Sequence, residues 1–321
     1  YHLTNLLLHL AVTLLAWRLF RRFAGDGAAL WGAAAFAVLP GHSEAVIAIA
    51  GRADLLTTAG SLAALLIWSG GGGWRRALAG GFCFGIALLS KEQAAVVPGL
   101  LLCLCWLQHR RAARRWCWTP FGVSGLVLAA YLLLRHTVLG GLAMIEIEPL
   151  DNPLVDLQGI DRVLAALAVA THYAVLLVAL VVGAAWRFRR QPDIPGLAMV
   201  WLAICFAPLV NVLFPIGTIL AERISYMPSV GYALGLGWAL EAARRRLGSR
   251  TRRSLALALL SVLALLTAAR CADWRDELSL FGAVVAVHPE SATGHKGLAK
   301  ALRGAGRLAE AETHCRRAIE I

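Results

Sequence analysis

The chain has 321 residues, of which 59% are hydrophobic and only 16% charged, against about 25% charged in an ordinary soluble domain. This balance excludes a wholly soluble protein and points to a multi-spanning membrane protein with a short soluble tail. The formal charge of +12 does not signal nucleic-acid binding, because the arginines fall in the short gaps between apolar runs.

Residues 1–17 form the first apolar run. The chain begins inside it without a methionine, so further residues are expected ahead of Tyr1. Arg18, Arg21 and Arg22 close this run, and the runs at 28–39 and 55–68 follow. Between them lies a polar loop, 41–54, that carries His42, Glu44, Arg52 and Asp54. A glycine-rich turn at 70–73 leads through Arg75 and Arg76 to the run at 77–89. Ser90, Lys91, Glu92 and Gln93 interrupt before 94–107, and Arg110, Arg111, Arg114 and Arg115 precede 119–134. An acidic loop, 135–161, carries Glu146, Glu148, Asp151, Asn152, Asp156 and Asp161. Runs at 163–186 and 196–214 flank Arg187, Arg189 and Arg190. Residues 215–226 hold Glu222, Arg223 and Tyr226. The run at 227–240, a gap holding Arg244 to Arg246, Arg250, Arg252 and Arg253, and the run at 255–269 complete the membrane part.

These runs predict about ten spans, although 28–39 and 77–89 are short against the roughly 20 residues a span needs. The positive-inside rule places the arginine gaps in the cytoplasm. Alternation then puts 41–54, 90–93, 135–161 and 215–226 together on the opposite face, the basis for expecting one extracytoplasmic site. The seven cysteines are scattered, mostly within apolar runs, and no pair has metal-ligand spacing. No metal site is expected, and the sequence leaves metal dependence open.

The tail, 271–321, is soluble in composition. Leu298, Ala299, Leu302, Gly306, Ala311, Cys315 and Ala318 recur at helical spacing, which fits the tetratricopeptide pattern of about 34 residues. A repeat and a half does not bury a solenoid core, so the chain is expected to continue past Ile321.

Charged groups at a membrane boundary carry a free-energy penalty unless solvated, paired or used. Arg52 and Asp54 either pair with each other or serve separately, Arg52 as a phosphate contact. His42 and Glu44 are candidate acid–base groups, with Asp54 grouped alongside them. Lys91 and Glu92 are either an interfacial pair or a cation for an anionic headgroup beside a carboxylate. Arg223 offers the planar donor fork that suits phosphate, Tyr226 adds a hydroxyl, and Glu222 orients or neutralises Arg223. His9, with His2 and Asn5 near it, is placed to hydrogen-bond across helices.

Several segments carry a family resemblance. They are Leu39-Pro40-Gly41-His42-Ser43-Glu44-Ala45-Val46, Gly51-Arg52-Ala53-Asp54, Ser90-Lys91-Glu92, Asp151-Asn152-Pro153, Leu213-Phe214-Pro215-Ile216-Gly217, and the block from Ala221-Glu222-Arg223 through Ile224-Ser225-Tyr226-Met227 to Pro228-Ser229. In order and content they resemble the transmembrane and tetratricopeptide-repeat O-mannosyltransferases, bacterial-type members included. The resemblance implies an all-α, GT-C-like polytopic helical bundle over 1–270, followed by the start of a tetratricopeptide-repeat domain over 271–321. It implies transfer of a sugar, typically mannose, from a polyprenyl- or dolichyl-phosphate donor to a protein serine or threonine hydroxyl. His42, Glu44 and Asp54 then stand as catalytic candidates. Arg52, Lys91, Glu92, Glu222, Arg223 and Tyr226 are candidates for the donor phosphate.

The implied partners are the lipid-linked donor, a protein acceptor, membrane lipid and a protein bound through the repeats, with no nucleic acid. The implied location is a bacterial inner membrane, site and tail on the periplasmic face, or the endoplasmic reticulum in a eukaryote. Two departures stand out. The family's first span and first long loop, which carries the acidic residue usually assigned as base, would lie ahead of Tyr1. The hydrophilic segment that family members carry after the span near His172 is missing. A catalytically degenerate membrane-anchored scaffold is the alternative.

Overall fold

The computed structural model describes residues 1–113, 116–140, 182–183, 186–209 and 222–321, and every regular element among them is helical. In chain order these are α1 (His2–Ala24), α2 (Asp26–Ala37), the short α3 (Ser43–Ile47), α4 (Arg52–Ser69), α5 (Trp74–Ser90), α6 (Val97–Ala112) and α7 (Thr119–Leu139). They continue with α8 (Ile194–Phe206), α9 (Ser229–Ala242), α10 (Ser249–Asp273), α11 (Glu277–Val287), α12 (Ala292–Gly304) and α13 (Leu308–Glu320). The acidic loop from 141 onward, nearly all of the apolar run at 163–186, and residues 210–221 lie outside the described residues.

Apolar periodicity explains how α1 sits. Asn5, His9, Val12, Ala16 and Leu19 recur every three or four residues and are buried. Leu3, Leu6, Leu7, Leu10 and Leu14 on the other side are apolar and exposed, as expected of a helix that faces lipid. The same holds for α10, in which only Ala256 is buried. Three described helices, α1, α7 and α10, are long and apolar enough to cross a membrane. A fourth span results if the segment Pro40–Ile47 and α4, bent by 108° to each other, are taken as one. The protein is therefore an all-helical membrane protein among its described residues.

Helices α5, α4, α1, α2 and α9 pack as successive neighbours in that order, with α8 on α9 and α7 on α5. Small residues let the backbones touch. A Cβ on Gly237 of α9 would lie 2.2 Å from the Ala28 carbonyl oxygen of α2, and one on Gly32 of α2 would lie 2.7 Å from the Ala233 carbonyl oxygen of α9. Around these contacts Phe20, Phe36, Leu55, Leu62, Leu65, Phe84, Leu100, Leu104 and Trp201 form one apolar core.

The contacts sort the polar segments to two ends of this bundle. At one end Arg22 donates to the Leu66 carbonyl and to Ser69, Arg76 to the Gly70 carbonyl, and Arg111 to the carbonyls of Phe23 and Pro192. The starts of α1 and α4, the segment 40–48, Lys91, Gln93 and 222–229 gather at the other. Among the described residues this separation puts 41–54, 90–93 and 222–226 at one end, as the grouping of the polar segments expected.

In the tail, Asp276 caps α11 by accepting from the Ser279 amide, and Ser291 caps α12 by accepting from the Gly294 amide. Helix α12 packs on α11 and α13. A Cβ at Gly297 would meet the Phe281 ring at 2.2 Å, so this glycine lets the aromatic ring lie against the helix. Ala299, Leu302 and Ala311 of the expected helical stripe are buried, whereas Cys315 is exposed. The stripe is thus buried at Ala299 and Leu302 of α12 and at Ala311 of α13, and open at Cys315.

Candidate functional site

The polar end is built on α1. Asn5, fully buried, donates from its side-chain amide to the carbonyls of Val46 and Ala48, both at 3.1 Å. Its oxygen accepts from Arg52 Nε at 3.1 Å. One asparagine thereby fixes the loop after α3 and the arginine that opens α4. A turn further along, His9 Nε2 donates to the Ala37 carbonyl at 3.2 Å, which leaves Nδ1 to accept from the Tyr226 hydroxyl at 2.6 Å. Tyr226 is fully buried, and its ring packs among His9, Phe36 and His42.

His42 lies in the connecting turn Pro40–His42, outside the three helices that are each long enough to cross a membrane. Ser229 donates its hydroxyl proton to the Tyr226 carbonyl at 2.7 Å, so His42 Nε2 must donate to Ser229 Oγ, also at 2.7 Å. Burial holds the His42 pKa well below its ordinary 6.5, nearby His9 lowers it further, and the Phe36 carbonyl opposes both. This imidazole is neutral and committed to the turn that starts α9.

Two ion pairs stand beside it. Glu44 Oε1 pairs with the Arg223 guanidinium, and Glu44 Oε2 accepts from the Arg223 backbone amide at 3.0 Å. Asp54 Oδ1 meets Lys91 Nζ at 2.6 Å, with the Asp54 side chain 3% exposed and that of Lys91 23%. Gln93 donates to the Ile224 carbonyl at 3.2 Å and ties the break after α5 to the same turn.

At this site the charges adjacent in sequence find their partners elsewhere. Arg52 bonds Asn5 while Asp54 takes Lys91. Lys91 leaves Glu92, which meets Arg135 at 3.7 Å. Glu222 does not orient Arg223; its Oε1 accepts from Arg270 at 2.6 Å, and Arg270 also holds Asp273 at 2.9 Å. The reason is geometric: neighbouring residues in a helical turn diverge by about 100°. Tyr226, expected to offer its hydroxyl to a phosphate, instead gives it to His9. Asp151, Asn152, Pro153 and the segment 213–217 lie outside the described residues.

Gln93, Ser229 and Arg270 were not singled out as site residues. Ser229 ends the block that carries the family resemblance, Gln93 sits in the polar break after Lys91, and Arg270 ends the last apolar run; each had a sequence signal of its own. Among the described residues no group of three His, Cys, Asp or Glu is placed to hold a metal ion.

Three cations (Arg52, Lys91, Arg223) and two carboxylates (Glu44, Asp54) gather where α1, α4 and the turn before α9 meet. A helical membrane protein with an ionic cluster at one end of its bundle is the class these features define. No protein-family model and no solved structure matches the chain. Its whole length is 29% identical to Protein O-mannosyl-transferase Tmtc3 of Drosophila melanogaster, covering 46% of that protein. It is 28% identical to Protein O-mannosyl-transferase F38B6.6 of Caenorhabditis elegans, covering 50% of it. It is 25% identical to Protein O-mannosyl-transferase TMTC3 of Homo sapiens, covering 41% of it. The chain spans about half the length of these curated relatives. Over its whole length the chain is thus similar to relatives that are named protein O-mannosyl-transferases.

Proposed function

We propose that the chain is the membrane body of a GT-C-type glycosyltransferase. It would move a sugar, mannose, from a polyprenyl- or dolichyl-phosphate donor to a protein serine or threonine hydroxyl on the extracytoplasmic face. About ten spans over 1–270 would carry the site, and 271–321 would begin a tetratricopeptide-repeat domain that meets the acceptor or another protein. Ala-, Leu-, Gly- and Arg-rich composition favours a bacterial inner membrane.

The supporting observation is the charge balance at the polar end. Arg52 is the one of its three cations without a carboxylate partner among the described residues, so the cluster carries a surplus positive charge. An arginine fork fits phosphate oxygens, and two further cations stand ready to exchange a carboxylate for a phosphate. In the reaction, the acceptor hydroxyl oxygen bonds to the anomeric carbon. The bond from that carbon to the phosphate oxygen breaks, and the lipid phosphate leaves with the electron pair. A carboxylate takes the hydroxyl proton; Glu44 and Asp54 are the local candidates once their cations turn to the phosphate. His42 and Tyr226 act by holding the turns that carry them.

The test is label transfer by the full-length protein in detergent, with radiolabelled polyprenyl-phosphate mannose and a membrane extract as acceptor. Label on protein, lost in Arg52→Ala and in Arg223→Lys variants that still fold, supports the reading. Absence of both transfer and donor binding moves the assignment to a membrane-anchored scaffold, which the neutralised Glu44–Arg223 and Asp54–Lys91 pairs would also suit.

A further inference from the structure

At the arginine end of the bundle, α1 and α4 run side by side in the same direction. Asn5 meets Arg52 at their starts, and Arg22 meets Leu66 and Ser69 at their ends. Between these ends opens a cleft of about 660 Å³, lined by Leu15, Arg18, Arg21, Arg22, Leu66 and Ile67 together with Ala63. One wall is apolar and the rim carries three guanidinium groups, of which only Arg22 bonds across to α4. It lies about 20 Å along α1 from Asn5, so it is separate from the ionic cluster.

The three arginines differ in their commitments. Arg22 is tied to α4 by the bonds just given. Arg21 stacks on Trp17 at 5.4 Å and pairs with Asp26 at 2.6 Å, but both partners of that pair are exposed, with side chains 56% and 80% accessible. Such a surface pair is weak and exchanges readily. Arg18 is exposed and has no polar partner among the described residues. A tryptophan on the helix beside them marks the interfacial level, where indole rings settle.

We propose that this cleft binds an anionic phospholipid, with the phosphate held by Arg18 and Arg21 and an acyl chain laid along Leu15, Ala63, Leu66 and Ile67. Basic pockets between membrane helices at the headgroup level recognise anionic lipids because they pair the phosphate while the chains stay in hydrocarbon. The apolar wall selects a lipid over a free anion. Arg22, bound to α4, sets the width of the cleft.

Native mass spectrometry of the full-length protein in a mild detergent tests this, with palmitoyl-oleoyl phosphatidylglycerol and the matching phosphatidylcholine as probes. Retention of phosphatidylglycerol is expected to exceed that of phosphatidylcholine. Arg18→Gln removes a group with no polar partner among the described residues and should weaken phosphatidylglycerol about fivefold. Ala63→Trp fills the apolar wall, keeps all three arginines, and should weaken it as well. Equal retention of the two lipids, wild-type retention in both variants, or displacement by inorganic phosphate at equal concentration would each overturn the proposal.

Discussion

Arg223 closes on Glu44 twice, through its guanidinium and through its own backbone amide, across 179 positions of sequence. The carboxylate therefore fixes both the charge and the path of the chain before α9. Removing one partner leaves a partly buried charge alone, which costs about 3 kcal/mol. Glu44→Gln and Arg223→Gln should each lower the melting temperature in detergent. The double variant should lose well less than the sum of the two single losses. Additive losses would mean that the pair contributes no coupling.

Glu222 and Arg270 join the same turn to the end of α10. With side chains 39% and 35% exposed, the pair is worth about 0.5–1 kcal/mol, too little to hold the fold. Arg270→Ala should thus leave global stability nearly unchanged while raising hydrogen exchange at residues 223–226. The charge reversal Glu222→Arg with Arg270→Glu should restore the protection.

His42 supplies a pH dependence. Its folded pKa lies well below the ordinary 6.5 because it is buried. Below that ordinary value the unfolded chain takes up a proton that the folded chain refuses, so stability is complete above it and falls as pH drops toward the folded pKa. Melting temperature should decline on going from pH 7 to pH 5 in the wild type. In His42→Asn the decline should be shallower, with the remainder owed to other groups.

The contact of α2 with α9 depends on the absence of a side chain. Gly237→Ala would push a methyl carbon to 2.2 Å from the Ala28 carbonyl oxygen, overpacking that costs about 1–3 kcal/mol. Gly122→Ala, in α7, meets nothing within 4 Å among the described residues and adds about 1 kcal/mol of helix propensity. Melting curves should move in opposite directions for the two.

Much of the architecture is legible in sequence because its causes are local. Apolar runs broken by arginine clusters place the helix ends, and the same arginines sort the polar segments to two ends of the bundle. His9 is recognisable as a polar group on an apolar face, and it does bond across helices. Partner choice is a different matter. Glu222–Arg223, Lys91–Glu92 and Arg52 with Asp54 each read as a local pair, and none of them forms.

By itself, the sequence determined that this is a helical membrane protein, where its polar segments fall, and which residues carry charge there. Hydrophobicity and helix period act over a few residues, so they are written in the order of the chain. Only the tertiary structure decided that Glu44 takes Arg223, that Asp54 takes Lys91, and that Arg52 bonds Asn5 and no carboxylate among the described residues. Those choices depend on which helix ends meet after the small residues of α2 and α9 let the backbones touch. Coulomb attraction then pairs whichever opposite charges that packing has brought within reach.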